Sequence, residues 1–310
     1  MTSIGRKGSK ESSIRKLRAK GPPRRRTAPS QPASPRAGSV ILYASKPVLT
    51  VAETTPIRNV IETMNERGFR RIPVVNPGKG QLVGLVTARD ILDFFGGSGR
   101  KLIEERYGGN LLVATNSPIS SVMRTDIVST GFNEPIGEAI RIMSQKKIGG
   151  LPVIDSEKKV IGIITERDIL FKLSHRIPDM TVGEAMTPNP VTISSDSTVG
   201  LALDKMLRYH FRRLPVLQRG ELQGMVTMRG IIRYLGRTDN WLLQELLSLP
   251  ITSLSFSDFG VSSPGMGLAD AVDLMRSRDI GALLVTGPES NLLGIFTERD
   301  AFNIVAKTYR

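Results

Sequence analysis

The chain of 310 residues contains no cysteine and only two histidines. The absence of cysteine excludes disulfide bonds, thiolate metal sites and cysteine nucleophiles. His175 and His210 each stand alone in the sequence, without a second candidate ligand or base beside them. Histidine-based catalytic dyads and zinc sites need such a partner, so the sequence predicts neither.

Long apolar runs are also missing. No stretch of about 18 apolar residues is present, which argues against a transmembrane helix, and the N-terminal segment lacks the apolar core of a secretory signal. We therefore expect a cytoplasmic protein without a membrane partner. Hydrophobic residues nevertheless make up 40% of the chain. It can therefore bury a sizeable core, and its length suggests about two domains.

Acidic residues are scarce at the N-terminus. Residues 1–40 hold eleven of the 43 lysines and arginines but only one of the 29 acidic residues, so ten of the fourteen net positive charges fall in this segment. The segment is also rich in Ser, Pro and Gly, and it cannot bury enough apolar surface to offset the entropy of ordering. We predict a disordered basic tail over residues 1–40.

One pattern, Gly-x-x-Thr-x-Arg-Asp, has four copies in the rest of the chain, three of them complete and one with Gly in place of the final Asp. In each occurrence, apolar strand residues precede the threonine and a helix start follows it. The occurrences are Gly84–Asp90, Gly162–Asp168, Gly224–Gly230 and Gly294–Asp300. The threonines are 78, 62 and 70 residues apart, so the chain is a repeat protein with insertions of unequal length.

Each copy of the repeat is longer than this pattern. A helix with apolar residues at i, i+3, i+4 and i+7 precedes it and ends in methionine, which predicts one buried helical face. These apolar sets are Ile57, Val60, Ile61, Met64; Ile136, Ala139, Ile140, Met143; Val199, Ala202, Leu203, Met206; and Leu268, Ala271, Val272, Met275. A β-branched run comes before the helix, and a second strand, Leu-Pro-Val or a variant of it, comes after. The unit is therefore β-α-β-β-α.

This unit, its Pro-Val strand and its Gly-x-x-Thr-x-Arg-Asp ending together resemble CBS domains (cystathionine-β-synthase type). The segments Val122-Met123 and Ala185-Met186-Thr187-Pro188, which precede copies 2 and 3, are also typical of that family. We call the segment before the first strand of a copy its lead-in. The resemblance covers residues 41–310 and implies an α+β fold of four units. The resemblance also implies that the units pair into two pseudo-twofold modules, copy 1 with copy 2 and copy 3 with copy 4.

The boundary between the two modules is predicted in the polar link from His175 to Thr181, which contains Pro178. The modules then span residues 41–177 and 178–310. Within the first module, a glycine-rich linker and a predicted helix from Arg100 to Tyr107 separate copies 1 and 2. The linker lacks the G-x-x-x-x-G-K-[ST] pattern of a phosphate loop.

The resemblance also implies that clefts between paired sheets bind adenosine-containing ligands. On the matching positions, the ribose hydroxyls would be held by Asp90, Asp168 and Asp300. Ribose or phosphate would be contacted by Thr87, Thr165, Thr227 and Thr297. In copy 3, Gly230 replaces the acid, so its cleft is expected to be weakened or empty.

The same Thr-x-x-Asp spacing has a structural interpretation that needs no ligand. A threonine N-cap with an acid three residues on forms a capping box. The two interpretations are compatible, because a helix N-terminus also offers free N–H groups and partial positive charge to a phosphate.

Arginine pairs precede the second strand in copies 1 and 3 only. Copy 1 has Arg70-Arg71 and copy 3 has Arg212-Arg213, where copies 2 and 4 have small residues. Surface charge is one interpretation. The other is that Arg71 and Arg213 bind phosphates of a ligand whose ribose lies in the paired copy.

No nucleophile with a base and no metal-binding cluster stands out, so we expect a protein without catalytic activity or cofactor. The leading hypothesis is a regulatory sensor of AMP, ADP or ATP that signals by a change of conformation or assembly to a partner outside the chain. A homodimer is the expected assembly. The alternatives are an S-adenosylmethionine sensor, or a nucleic-acid-associated protein that binds phosphate backbone through residues 1–40.

Overall fold

The computed structural model describes residues 35–237, 242–254, 256 and 259–309. Most of the predicted basic tail, residues 1–34, lies outside this range. Ser39 and Val40, which the sequence assigns to the tail, are 1% and 0% exposed. The buried part of the chain therefore begins ahead of residue 41.

The first two copies contain the predicted elements in the predicted order. Copy 1 and its lead-in comprise α1 (Val40–Tyr43), β1 (Val51–Ala52), α2 (Ile57–Arg67), β2 (Arg71–Val75), β3 (Leu82–Thr87) and α3 (Ala88–Gly96). The connection to copy 2 contains α4 (Arg100–Tyr107), α5 (Leu111–Thr115) and a 3-10 turn (Ile119–Ser121). Copy 2 comprises β4 (Thr130–Gly131), α6 (Ile136–Gln145), β5 (Gly150–Ile154), β6 (Val160–Thr165) and α7 (Glu166–Lys172). The helix predicted from Arg100 to Tyr107 is confirmed.

The second pair of copies repeats this order. A 3-10 turn (Ser174–Arg176), α8 (Val182–Ala185) and β7 (Thr187–Pro188) precede copy 3. Copy 3 comprises β8 (Ile193–Ser194), α9 (Val199–Arg208), β9 (Arg213–Gln218), β10 (Glu221–Thr227) and α10 (Met228–Leu235). After α11 (Leu243–Ser248) and a 3-10 turn (Ile251–Ser253), copy 4 comprises β11 (Gly260–Ser262), α12 (Leu268–Ser277), β12 (Ala282–Thr286), β13 (Leu292–Thr297) and α13 (Glu298–Thr308).

All four sheets share one topology. The short first strand pairs in parallel with the second strand, which pairs antiparallel with the third. The predicted apolar face of each long helix is buried, including the terminal methionines. The α+β fold of four β-α-β-β-α units is therefore confirmed.

The copies contact one another in two ways. Their helices form two large apolar cores, one shared by copies 1 and 3 and the other by copies 2 and 4. The sheets of copies 3 and 4 meet through a smaller apolar cluster containing Met225, Leu284 and Ile295. Leu284 replaces the proline of the other copies and is fully buried there. Residues from 35 onward thus form one compact unit.

Lead-ins are exchanged between paired copies. The lead-in of copy 1 lies on β6 of copy 2 through a bridge from Ser45 to Ile163, and the lead-in of copy 2 lies on β3 of copy 1. β7, in the lead-in of copy 3, adds a fourth strand to the sheet of copy 4. These exchanges link copy 1 to copy 2 and copy 3 to copy 4. The boundary near residue 177 remains a prediction.

The glycine of the repeated pattern makes room for these lead-ins. A Cβ atom added to Gly294 would overlap Met186 Sδ and lie 3.0 Å from the Thr187 carbonyl oxygen. We expect Gly294→Ala to lower the free energy of unfolding by about 2 kcal/mol, because overpacking forces the lead-in to shift. Chemical denaturation measures this change. The control is Gly265→Ala, whose Cβ would meet no atom within 4 Å. Equal stability of the two variants would contradict the assigned role of Gly294.

No helix among the described residues is both long enough and apolar enough to cross a membrane.

Candidate ligand-binding clefts

Each repeated threonine lies where the third strand of its copy ends and the closing helix begins. The four side chains are the N-caps of α3, α7, α10 and α13, and each hydroxyl accepts a hydrogen bond from the backbone N–H three residues on. The donors are Asp90, Asp168, Gly230 and Asp300, at 3.3, 3.2, 2.9 and 3.4 Å. The helix start is thus fixed in all four copies.

The three carboxylates close these caps with one oxygen each. In copies 1, 2 and 4, the Oδ2 atom accepts from the threonine backbone N–H at 2.8, 2.8 and 2.9 Å. It also accepts from the threonine hydroxyl at 2.6, 2.6 and 2.7 Å. The capping-box interpretation is confirmed in these copies. The second oxygen, Oδ1, is left for another partner.

That second oxygen has a different environment in each copy. Asp90 Oδ1 accepts from Arg124 Nε at 2.7 Å, and Asp168 Oδ1 accepts from the Ser45 hydroxyl at 2.7 Å. Asp300 Oδ1 has no hydrogen-bond partner within the described part of the chain. Burial raises the pKa of Asp300, against hydrogen bonds from Thr297 and the charge of Arg213. Copy 4 therefore presents a partly buried carboxylate with one available oxygen.

Arg71 and Arg213 reach from one copy to its pair mate. Arg71 Nη1 donates to the Gly149 carbonyl oxygen, and Gly150 is the strand partner of Thr165. Arg213 makes the equivalent contact in copy 4. Its Nη1 donates to the Gly281 carbonyl oxygen, beside the strand pair of Ala282 with Thr297.

These contacts distinguish two clefts that have all the predicted kinds of site residue from two that lack at least one of them. Copies 2 and 4 each have the threonine, the carboxylate and an arginine from the pair mate. Copy 1 has its threonine and Asp90, but its pair mate offers Gly149 and Gly150 at this position. Copy 3 has Thr227 without the carboxylate. The three predicted kinds of site residue are therefore brought together in two of the four copies.

The two arginines are desolvated cations. Burial lowers the pKa of Arg71 to about 10, with a further contribution from Arg212. Burial likewise lowers the pKa of Arg213 to about 10, with a contribution from Arg70. Neither guanidinium forms an ion pair with a carboxylate among the described residues. A desolvated cation without a contacting anion favours an anionic ligand.

Two buried glutamates, which the sequence interpretation missed, lie at the centre where the copies meet. Glu298 forms ion pairs with Arg70 and Arg167, both at 2.5 Å. Glu166 forms the matching pairs with Arg299 and with Arg212, the latter at 3.7 Å. Each glutamate therefore pairs with one arginine from the Arg-Arg segment of copy 1 or copy 3. Its second partner is the arginine at the start of α7 or α13.

A signal for these glutamates exists in the sequence. The residue after the repeated threonine is Glu in copies 2 and 4 but Ala88 or Met228 in copies 1 and 3. This alternation is opposite to that of the arginine pairs. Copies with Arg-Arg lack the glutamate, and copies with small residues carry it.

The arginine inside the pattern connects copies that share a helical core. Arg89 of copy 1 donates to the Phe211 carbonyl oxygen of copy 3 at 3.2 Å. Arg167 donates to the Ile280 carbonyl oxygen at 3.2 Å, and Arg299 donates to the Lys147 carbonyl oxygen at 3.1 Å. These arginines therefore join copy 1 to copy 3 and copy 2 to copy 4.

The model for the CBS domain matches residues 37–97, 119–175, 182–237 and 258–307. These segments make up more than half of the chain and coincide with the four copies. The chain therefore belongs to the CBS domain family.

Two proteins resemble it over most of its length. The chain is 33% identical over 272 residues to the uncharacterized protein MJ1225 of Methanocaldococcus jannaschii, covering 84% of this chain and 96% of that protein. It is 30% identical over 261 residues to an uncharacterized 33.4 kDa protein in the ribosomal RNA operon of Thermofilum pendens, covering 82% and 86%.

Solved structures show the same fold. The crystal structure of MJ1225, which was proposed to be an archaeal homologue of γ-AMPK, has a TM-score of 0.79 and 32% identity, covering 86% of this chain and 99% of that one. An uncharacterized conserved protein from Pyrococcus horikoshii has a TM-score of 0.54 and 19% identity, covering 86% and 99%. The second match shows the fold alone.

Proposed function

We propose that this protein is a non-catalytic regulator that binds adenine nucleotides (AMP, ADP or ATP) in the clefts of copies 2 and 4. One observation carries the proposal. Arg213 of copy 3, a partly buried cation outside any ion pair among the described residues, contacts the Gly281 carbonyl oxygen, and the next residue, Ala282, is the strand partner of Thr297. Asp300 follows this threonine by three residues and has an available oxygen. A ligand with a phosphate and a vicinal diol would satisfy both groups.

The ion pairs of Glu166 and Glu298 suggest how ligand binding could be transmitted between copies. Arg212 and Arg213 are adjacent, and Arg212 pairs with Glu166 of copy 2 while Arg213 contacts copy 4. A phosphate bound to Arg213 would therefore act on a segment that touches two other copies. Ligand binding shifts a conformational equilibrium only as far as the affinities of the two states differ. The signal passes to a partner outside this chain or to a second copy of it.

Similarity to MJ1225 supports a regulatory role, since that protein was proposed to be an archaeal homologue of γ-AMPK. The S-adenosylmethionine alternative has less support from the cleft. The arginine of the pair mate favours a ligand with negative phosphate charge, whereas the sulfonium of S-adenosylmethionine is positive.

Thermal denaturation tests the proposed function. A nucleotide at a hundredfold excess over its dissociation constant stabilises the folded state by about 2.7 kcal/mol, which for a chain of this size raises the Tm by roughly 4 °C. We expect AMP, ADP or ATP to give a larger shift than adenosine or inorganic triphosphate. A larger shift with S-adenosylmethionine would favour the alternative ligand. No shift with any adenosine compound would overturn the proposal.

A further inference from the structure

Three lead-ins place one residue each at the same position over a paired cleft. Arg124 is bridged to Leu85, Ser45 to Ile163, and Thr187 is paired with Ile295. In all three cases the strand partner is the second residue before the capping threonine of the other copy. The lead-in residue therefore has an equivalent backbone position in the clefts of copies 1, 2 and 4.

The side chains at this position differ in what they do to the carboxylate. Arg124 donates a hydrogen bond from its charged guanidinium to Asp90 Oδ1 at 2.7 Å. Ser45 donates from its neutral hydroxyl to Asp168 Oδ1, also at 2.7 Å. Thr187 forms no hydrogen bond with Asp300 in the described part of the chain. The carboxylate Oδ1 atom is therefore bound by a cation in copy 1 and by a hydroxyl in copy 2. In copy 4 it is available.

We propose that this lead-in residue determines which clefts accept ligand, and that Arg124 is an internal cation that closes the cleft of copy 1. The proposal rests on the proposed function, because it concerns access to the same carboxylates. It predicts that the affinity for nucleotide is highest in the cleft of copy 4, lower in that of copy 2 and lowest in that of copy 1.

The chemistry of the carboxylate gives this order. A ribose hydroxyl that approaches Asp90 must displace a guanidinium, and it brings no positive charge to replace the attraction between Arg124 and the carboxylate. In copy 2 the ribose hydroxyl displaces only the hydroxyl of Ser45, which is an exchange of like for like. In copy 4 nothing has to be displaced from Asp300 Oδ1.

Two further observations support the closure of copy 1. Asp90 is buried, at 8% exposure, whereas Asp168 and Asp300 are both partly exposed. Copy 1 also lacks an arginine from its pair mate, since β5 follows Gly149 and begins with Gly150. A nucleotide in this cleft would therefore meet a blocked carboxylate and no arginine from the pair mate for its phosphate.

A reciprocal exchange of the two lead-in residues tests the proposal. Arg124→Thr copies the residue that faces Asp300, and Thr187→Arg places the guanidinium over that carboxylate. Full-length variants are titrated calorimetrically with ATP. We expect Thr187→Arg to weaken the tightest site at least tenfold, and Arg124→Thr to add binding at copy 1 without weakening the other sites. Thr187→Met, which is long but cannot donate a hydrogen bond, should stay within about twofold of the wild type.

The outcomes separate this proposal from the one on which it rests. Wild-type protein that binds no adenine nucleotide would overturn both. Two other results would overturn only the role of the lead-in residue. The first is that Thr187→Arg binds ATP as tightly as the wild type, and the second is that Arg124→Thr binds ATP more weakly. The second result would make Arg124 a direct contact of the ligand. Arg124 and Thr187 are exposed, so melting curves without ligand should show that all three variants fold.

Discussion

Replacing Glu298 with Gln is expected to lower the free energy of unfolding by about 3 kcal/mol at pH 7. The side chain of Glu298 is buried and contacts Arg70 and Arg167. Burial alone would raise its pKa, but Arg70, Arg167 and Arg213 outweigh burial and lower the pKa to about 2. Loss of this carboxylate leaves Arg70 and Arg167 without their shared ion-pair partner and removes an attraction that also acts on Arg213. Urea denaturation at pH 7 measures the change.

The pH dependence of stability gives an independent measure of the same interaction. Because the pKa of Glu298 is lower in the folded state than its usual value of 4.5, the carboxylate stabilises the fold above about pH 4.5. This contribution is lost as the pH falls toward 2. We therefore expect the stability difference between the wild type and Glu298→Gln to shrink over this range.

A surface ion pair provides the matched control. Glu104 pairs with Arg100 at 2.9 Å, and both side chains are nearly half exposed. Such a pair contributes less than about 1 kcal/mol, so Glu104→Gln should scarcely change stability. A Glu298→Gln variant as stable as Glu104→Gln would contradict the central role assigned to Glu298.

Arg213→Met is expected to weaken the binding of ADP or ATP about 30-fold while leaving the stability of the free protein unchanged or higher. The side chain supplies a charge-assisted hydrogen bond to phosphate, which contributes roughly 2 kcal/mol. Without ligand, however, burial and the repulsion of Arg70 and Arg212 outweigh the attraction of Glu298 and Asp300, and the pKa of Arg213 is lowered to about 10. An apolar side chain of similar length removes that repulsion and the burial of charge.

Comparison of ligands makes this prediction specific to phosphate. Adenosine should bind the wild type and Arg213→Met equally, because it has no phosphate to lose. Arg208→Met is the control, since Arg208 is exposed and pairs with Asp204 within α9. If Arg213→Met bound ATP as tightly as the wild type, the phosphate would lie elsewhere.

The repeating unit could be predicted from the sequence because burial follows local periodicity. Four apolar residues at helical spacing define one face of each long helix, and those faces are buried wherever the helix packs. The pattern Thr-x-x-Asp likewise contains its own hydrogen bonds, so the capping boxes follow from residue spacing alone. Neither inference depends on how the copies are arranged.

The central ion pairs depend on that arrangement and could not be predicted in the same way. Glu166 meets Arg299, and Glu298 meets Arg167, only because copies 2 and 4 share a helical core. Spacing within one copy carries no information on which copies share a core. The opposite alternation of arginine pairs and glutamates was visible, but it indicates charge complementarity without identifying the partners.

The contact of Arg124 with Asp90 was hidden for a related reason. It depends on the register with which the lead-in of copy 2 lies on β3 of copy 1. Register between distant segments follows from tertiary packing, whereas the identity of each lead-in residue was plain in the sequence. The predicted roles of the threonines, carboxylates and arginines in ligand binding remain predictions.

A crystal structure of the full-length protein with ATP tests the central claim most directly. We predict a nucleotide in the cleft of copy 4, with ribose hydroxyls donating to Asp300 Oδ1 and phosphate oxygens accepting from Arg213. Copy 3, which has Gly230 in place of the acid, should be empty. A nucleotide bound in copy 3, or bound in copy 4 without contact to Asp300 or Arg213, would contradict this account.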